Sequence, residues 1–261
     1  MKNYRVSFAG SGKVVSSLVT CIRDKGHRVM QIYSRPGGKG QALAGNIGAE
    51  HIGDPVFNEK NDIVIVAVSD RSLGPVLGNL HCDEKTIVAH TAGSSGLDIF
   101  PGSIKRKGVF YPLQTFSEGR KTDLVNVPVF IETSDEAAAG MLGDLAISLG
   151  ALPVRSSAES RKMLHVAAVF VSNFTNYMLT VGEVISRRAG FQPEILGPLI
   201  EETISKALDQ GPETSQTGPA IRNDYNTIEK HLELLSFSPE LQTLYEEMSR
   251  SIINYYKKKG E

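Results

Sequence analysis

The chain has 261 residues, 28 basic against 29 acidic side chains and 41% hydrophobic residues, an ordinary globular composition that needs no disulfide or metal staple. A net charge of -1 excludes duplex nucleic acid as the main partner, because neutralising phosphates takes a clustered basic surplus. The apolar stretches read as shorter than the roughly 18 residues of a spanning helix, and residues 1–5 lack a signal core, so the expectation is a cytoplasmic chain without membrane contact.

The first half alternates short β-branched runs with polar, glycine-containing connections, predicting strands at 4–9, 28–33, 63–68, 86–90, 108–111 and 127–132. Ile63-Val64-Ile65-Val66-Ala67-Val68 lacks strict alternation, as expected when helices cover both faces of a sheet. Helices are predicted at 12–25, 70–79 and 135–149, the last opened by Asp135 and Glu136 at its positive end. Strand-helix alternation of this kind implies a doubly wound α/β fold. Beyond Val154 the pattern turns helical at 159–189, 193–210, 225–235 and 239–257. The expected architecture is therefore an N-terminal Rossmann domain over 1–154 and an all-α domain over 155–261, with a cleft between them. Cys21 and Cys82 have no paired spacing and read as small apolar residues. Lys257-Lys258-Lys259 reads as a solvated tail, and no group of His, Cys and carboxylates shows metal-ligand spacing.

Gly10-Ser11-Gly12-Lys13-Val14 follows the first strand and opens the first helix. Gly10 can make the sharp turn, Gly12 has no Cβ to block a pyrophosphate, and the helix start presents free amides with partial positive charge. The third small position of the dinucleotide fingerprint is Val15. A nucleotide-triphosphatase loop is rejected, since it needs a glycine and a hydroxyl where this chain has Ser7 and Val14. The second strand ends in Ser34-Arg35 rather than the acid that usually meets an unphosphorylated ribose. A hydroxyl and a guanidinium suit a 2′-phosphate, so NADP is expected over NAD. The same basic strand end argues against an adenosyl-methionine methyltransferase.

Four segments carry a resemblance: Ala67-Val68-Ser69-Asp70, His90-Thr91-Ala92-Gly93-Ser94, Phe110-Tyr111-Pro112-Leu113-Gln114-Thr115-Phe116, and Gly218-Pro219-Ala220-Ile221-Arg222-Asn223-Asp224. Together they resemble the NADP oxidoreductase-like family, Rossmann proteins with a C-terminal helical domain, related to pyrroline-5-carboxylate reductase and 6-phosphogluconate dehydrogenase. The likeness covers nearly the whole chain. It implies a cofactor at the sheet edge, with Ala67, Val68 and Ser69 along its ribose and pyrophosphate and Ala92 and Gly93 near its nicotinamide. It also places Ser94 toward the substrate and implies a homodimer formed through the helical domain. Tyr111-Pro112 stands where relatives carry His-Pro.

In the long helix after Glu159, His165, Val169, Ser172 and Asn176 fall at α-helical spacing, with Asn173 adjacent. His165 or Tyr111 could protonate a reduced carbonyl or imine, Asn173 could orient the acid, and Asn176 could touch substrate. Arg222 could bind an anionic substrate group, and Asp224 could orient His231 or cap a helix. The expected activity is hydride transfer between NADP(H) and a small carbonyl or imine in the cleft. The alternative is a nucleotide-binding sensor or scaffold without turnover.

Overall fold

The computed structural model describes residues 2–117, 119 and 122–260, with 259 and 260 by backbone alone, so the Lys259 side chain of the basic run lies outside the described residues. In the first half β1 (Arg5–Ala9), α1 (Lys13–Asp24), β2 (Arg28–Tyr33), α2 (Lys39–Ile47) and β3 (Glu50–Ile52) form one arm. They are followed by β4 (Ile63–Val66), α3 (Asp70–Gly78), β5 (Ile87–His90), β6 (Arg106–Pro112), β7 (Pro128–Thr133), α4 (Glu136–Ser148) and β8 (Leu152–Arg155). The eight strands pair in the order β3-β2-β1-β4-β5-β6-β7-β8. Every neighbouring pair is parallel except β6 and β7, which run antiparallel. Strand order reverses between β1 and β4, and the carboxyl ends at such a switch point are where ligands bind in open α/β sheets.

The doubly wound expectation holds because β4 is buried on both faces. Ile63 and Ile65 join Phe8, Leu18, Ile22 and Leu142 in one apolar cluster. Val64 and Val66 join Leu73, Leu77, Phe100 and Ile104 in the other. Residues of period two thus feed opposite sides of the sheet, with α1 and α4 on one side and α3 on the other. Asp135 caps α4 by accepting the Ala138 amide at 2.7 Å.

The remainder is helical: α5 (Ala158–Ala168), a π turn (Val169–Phe174), α6 (Thr175–Arg188), a short 3-10 turn (Pro193–Leu196), α7 (Gly197–Gln210), α8 (Tyr225–Leu234) and α9 (Pro239–Gly260). A Ser157–Ser160 capping box starts α5. The described residues divide into two compact units, Met1–Asn173 and Phe174–Glu261. The first unit includes α5, which is tied to the sheet by contacts of Arg161 and His165 described below.

The expectation that no stretch is long and apolar enough to cross a membrane is corrected here. The continuous helix Ala158–Arg188 meets both criteria, since the chain carries no Asp, Glu, Lys or Arg from Met163 to Gly182. Met163, Val166, Val171 and Tyr177 on it are exposed. A buried core helix or a subunit contact satisfies the same two criteria, so they do not by themselves assign a membrane.

Candidate functional site

The turn from β1 to α1 is shaped by two glycines with different duties. Gly10 has φ +124°, and a Cβ there would lie 2.3 Å from the Ala67 carbonyl oxygen, so no side chain fits. Gly12 caps α1 with no side chain to satisfy the first amides, and a Cβ there would meet nothing within 4 Å. Open space therefore lies against a helix start that is rich in unclaimed donors and carries no acid in its first turn. Val15, the departure from the fingerprint, is fully buried in the core cluster with Leu18 and Ile22 and is accommodated there.

This turn forms one wall of a cavity of about 1190 Å³ at the carboxyl ends of the strands, entirely within the first unit. Gly10, Ser11, Gly12, Lys13 and Val14 line it, joined by Ser34 and Arg35 after β2 and by Ala67, Val68 and Ser69 after β4. Ala92 and Gly93 after β5 complete that side, and Tyr111 and His165 stand beside them. Asp54, Pro55, Val56, Asn79 and His81 also line the cavity without having been expected there. They come from irregular segments with no local signal. A bare glycine turn and a row of free amides at a helix start are what a dinucleotide's pyrophosphate requires, so the residues present fit that group.

At the far end, Tyr111 Oη lies 3.1 Å from His165 Nδ1, with the rings edge to face at 73°. Burial raises the Tyr111 phenol above its ordinary value, and the Arg161 charge partly opposes that rise. A Cβ on Gly93 would lie 2.9 Å from both His165 Nδ1 and Tyr111 Cζ, so the β5 turn sits directly against the pair.

Two buried residues brace this end, and sequence reasoning assigned a role to neither. Arg161, one turn before His165 on α5, is fully buried; its Nη1 donates to Glu132 Oε2 at 2.7 Å and its Nη2 donates to the Ser95 carbonyl. That ties α5 to β7 and to the loop after β5. His90 accepts the Ala92 amide at Nδ1 (3.2 Å), while Nε2 lies 3.3 Å from the Gly96 carbonyl. Its ring stacks on Phe100 at 5.4 Å. A carbonyl only accepts, so His90 Nε2 carries the proton, and the ring is neutral; burial pushes its pKa down to about 4. The signals existed in the sequence: a histidine ending a buried strand, and an arginine four residues before a candidate histidine.

Ser94 does not line the cavity; its hydroxyl donates to Asp70 Oδ2 at 2.9 Å, bridging the ends of β5 and α3. The π turn departs from the α-helical spacing assumed for His165, Val169, Ser172 and Asn176; Asn173 is exposed and does not line the cavity, and Asn176, in the second unit, is exposed. In the second unit Arg222 is exposed, and Asp224 caps α8, accepting the Thr227 amide at 3.1 Å and its hydroxyl at 2.8 Å. His231 pairs with Tyr245 Oη at 2.7 Å, not with Asp224, whose carboxylate is already engaged by Thr227. No metal-ligand cluster occurs among the described residues.

Residues 5–93 match the family described as NADP oxidoreductase, coenzyme F420-dependent, and residues 127–252 match a domain of unknown function, DUF2520. A provisionally assigned NADP oxidoreductase from Bacteroides fragilis is 35% identical over 97% of this chain and 98% of its own, with a TM-score of 0.87. Two more distant structures share the fold. One is a Thermotoga maritima protein at 22% identity and TM-score 0.69, covering 98% of this chain and 100% of that one. The other is a Plasmodium falciparum pyrroline carboxylate reductase solved with NADP bound, at 12% identity and TM-score 0.60, covering 98% and 99%. No curated protein matches the chain. With whole-length identity to one such protein and both family segments in their expected order, the chain belongs to the NADP oxidoreductase-like family of Rossmann proteins with a DUF2520 C-terminal domain.

Proposed function

We propose that this protein is an NADP-dependent reductase or dehydrogenase acting on a small carbonyl or imine. The observation that carries the reading is the Tyr111–His165 pair beside the β5 turn, in the same cavity as the glycine turn. A bound nicotinamide dinucleotide supplies the hydride in reduction and accepts it in oxidation. The α1 amides would hold the pyrophosphate and Ser34 and Arg35 the 2′-phosphate, with the β5 turn at Ala92 and Gly93 lining the cavity beside the Tyr111–His165 pair. As the substrate carbon is reduced, its former π pair goes to oxygen or nitrogen, which takes the Tyr111 phenolic proton. His165, whose Nδ1 lies 3.1 Å from Tyr111 Oη, returns a proton to the phenolate from Nδ1 while its Nε2 takes one up from water, so the imidazole ends neutral. A phenol whose pKa lies above its ordinary value is protonated at neutral pH, so Tyr111 has the proton that an acid in the reducing direction gives up.

The test is NADPH oxidation against a panel of small ketones, aldehydes and cyclic imines, with Tyr111→Phe alongside. Turnover should fall roughly 100-fold in the variant while NADPH affinity stays the same. Tight NADPH binding with no oxidation by any compound would instead favour the sensor reading. We also infer a homodimer formed through the helical half, supported by the exposed apolar residues on Ala158–Arg188. Light scattering should give twice the 28.3 kDa chain mass; a monomer that sediments with neutral vesicles would reject this in favour of a lipid contact.

A further inference from the structure

Ser34 is almost fully buried at 6% exposure, directly after β2. Its Oγ lies 3.0 Å from His51 Nε2 on the neighbouring strand β3, and 3.4 Å from the Arg35 carbonyl. The first turn of α2 closes over it: a Cβ on Gly40 would lie 2.2 Å from Ser34 Oγ. The hydroxyl is therefore held in a fixed place, and what it offers to the cavity depends on its proton.

A phosphate monoester only accepts hydrogen bonds at the pH where it carries two charges. Ser34 has one proton and two lone pairs to distribute. If His51 Nε2 were bare, it would take that proton, and Ser34 would turn lone pairs toward an anion. If His51 Nε2 carries hydrogen, it donates to Ser34 Oγ and the Ser34 proton is released toward the cavity. The Arg35 carbonyl, at 3.4 Å, is too distant to compete strongly for it.

We propose that His51 is a specificity-determining positioning residue for the 2′-phosphate: its Nε2–H donates to Ser34 Oγ and so directs the Ser34 hydroxyl proton onto a phosphate oxygen beside Arg35. The inference rests on the NADP reading above. His51 itself does not line the cavity; it acts through Ser34. NADH presents a neutral 2′-hydroxyl there, which can donate as well as accept and so gains little from a fixed Ser34 donor, and His51 separates the two cofactors without touching the part they share.

The experiment is titration of NADPH and NADH by nicotinamide fluorescence, which no tryptophan of this chain disturbs. The proteins are wild type, His51→Leu, His51→Gln, Ser34→Ala, the Ser34→Ala/His51→Leu double variant and Arg35→Ala. His51→Leu should weaken NADPH roughly tenfold, as loss of a hydrogen bond to a charged group does, and change NADH by less than about twofold. His51→Gln, whose amide N–H can replace Nε2–H, should restore most of the affinity. The double variant should be no weaker than Ser34→Ala, because both remove one device. Equal weakening of both cofactors by His51→Leu would make His51 merely structural and overturn the proposal, as would an unchanged NADPH affinity. Wild type with no NADPH preference, or Arg35→Ala weakening both cofactors alike, would overturn the NADP reading together with it. An Arg35-dependent preference that ignores His51 would overturn the His51 role alone.

Discussion

At the scale of single residues, the site is governed by what a side chain would displace. Gly93 has Tyr111 and His165 within 2.9 Å of where a Cβ would stand, and neither ring can fold away cheaply. Gly93→Ala should destabilise the protein by about 1–3 kcal/mol, the usual cost of overpacking, and lower turnover by parting the pair. Gly74 on α3 has nothing within 4 Å of the same position, so Gly74→Ala should be neutral or slightly stabilising through helix propensity. Urea unfolding of both variants checks this; an unperturbed Gly93→Ala would mean that the pair is looser than its geometry implies. Gly10 and Gly12 were legible in the sequence because a turn between strand and helix has local rules. The Tyr111–His165 pairing was not, since its members are 54 residues apart and meet only when α5 docks.

At the scale of elements, the position of α5 rests on Arg161. A guanidinium with 0% exposure depends on its partners, and among the described residues Glu132 and the Ser95 carbonyl claim its Nη atoms outside its own helix. Arg161→Met should cost about 3–5 kcal/mol, because it strands the Glu132 carboxylate and the Ser95 carbonyl together. Arg161→Met with Glu132→Leu should recover part of that loss by removing the stranded charge. Denaturant midpoints decide the matter, and a single variant as stable as wild type would show that α5 is held by packing alone. The elements missed in sequence are β3, α2 and β8. β3 has only three residues, α2 contains Gly40 and Gly45, and β8 is an edge strand exposed at every position. None of them offers the apolar periodicity that betrays a core element.

Across the whole molecule, buried neutral histidines tie stability to pH. His90 falls from its ordinary 6.5 to about 4 through burial, and burial lowers His27 as well. Between those two values the unfolded chain takes up a proton that the fold refuses. The His90 contribution is therefore full above about pH 6.5, declines as pH falls, and is gone near pH 4, a total of roughly 3 kcal/mol. Unfolding free energies measured from pH 7 to pH 4 should fall less steeply for His90→Gln than for wild type. Identical slopes would mean that His90 is hydrated and titrates normally. Because His90 Nδ1 accepts the Ala92 amide beside Gly93, protonating that nitrogen would also cost this hydrogen bond.

The sequence by itself determined the strand-helix alternation, the glycine turn, the Ser34-Arg35 strand end and the helical second half. Each depends on residues near one another in the chain, where propensity, capping and periodicity act directly. Tertiary structure alone decided that Tyr111 meets His165, that Arg161 and His90 brace them, and that His51 reaches Ser34. Those contacts depend on strand order and on the antiparallel pairing of β7 with β6. Long-range packing sets both, and local sequence carries no measure of it.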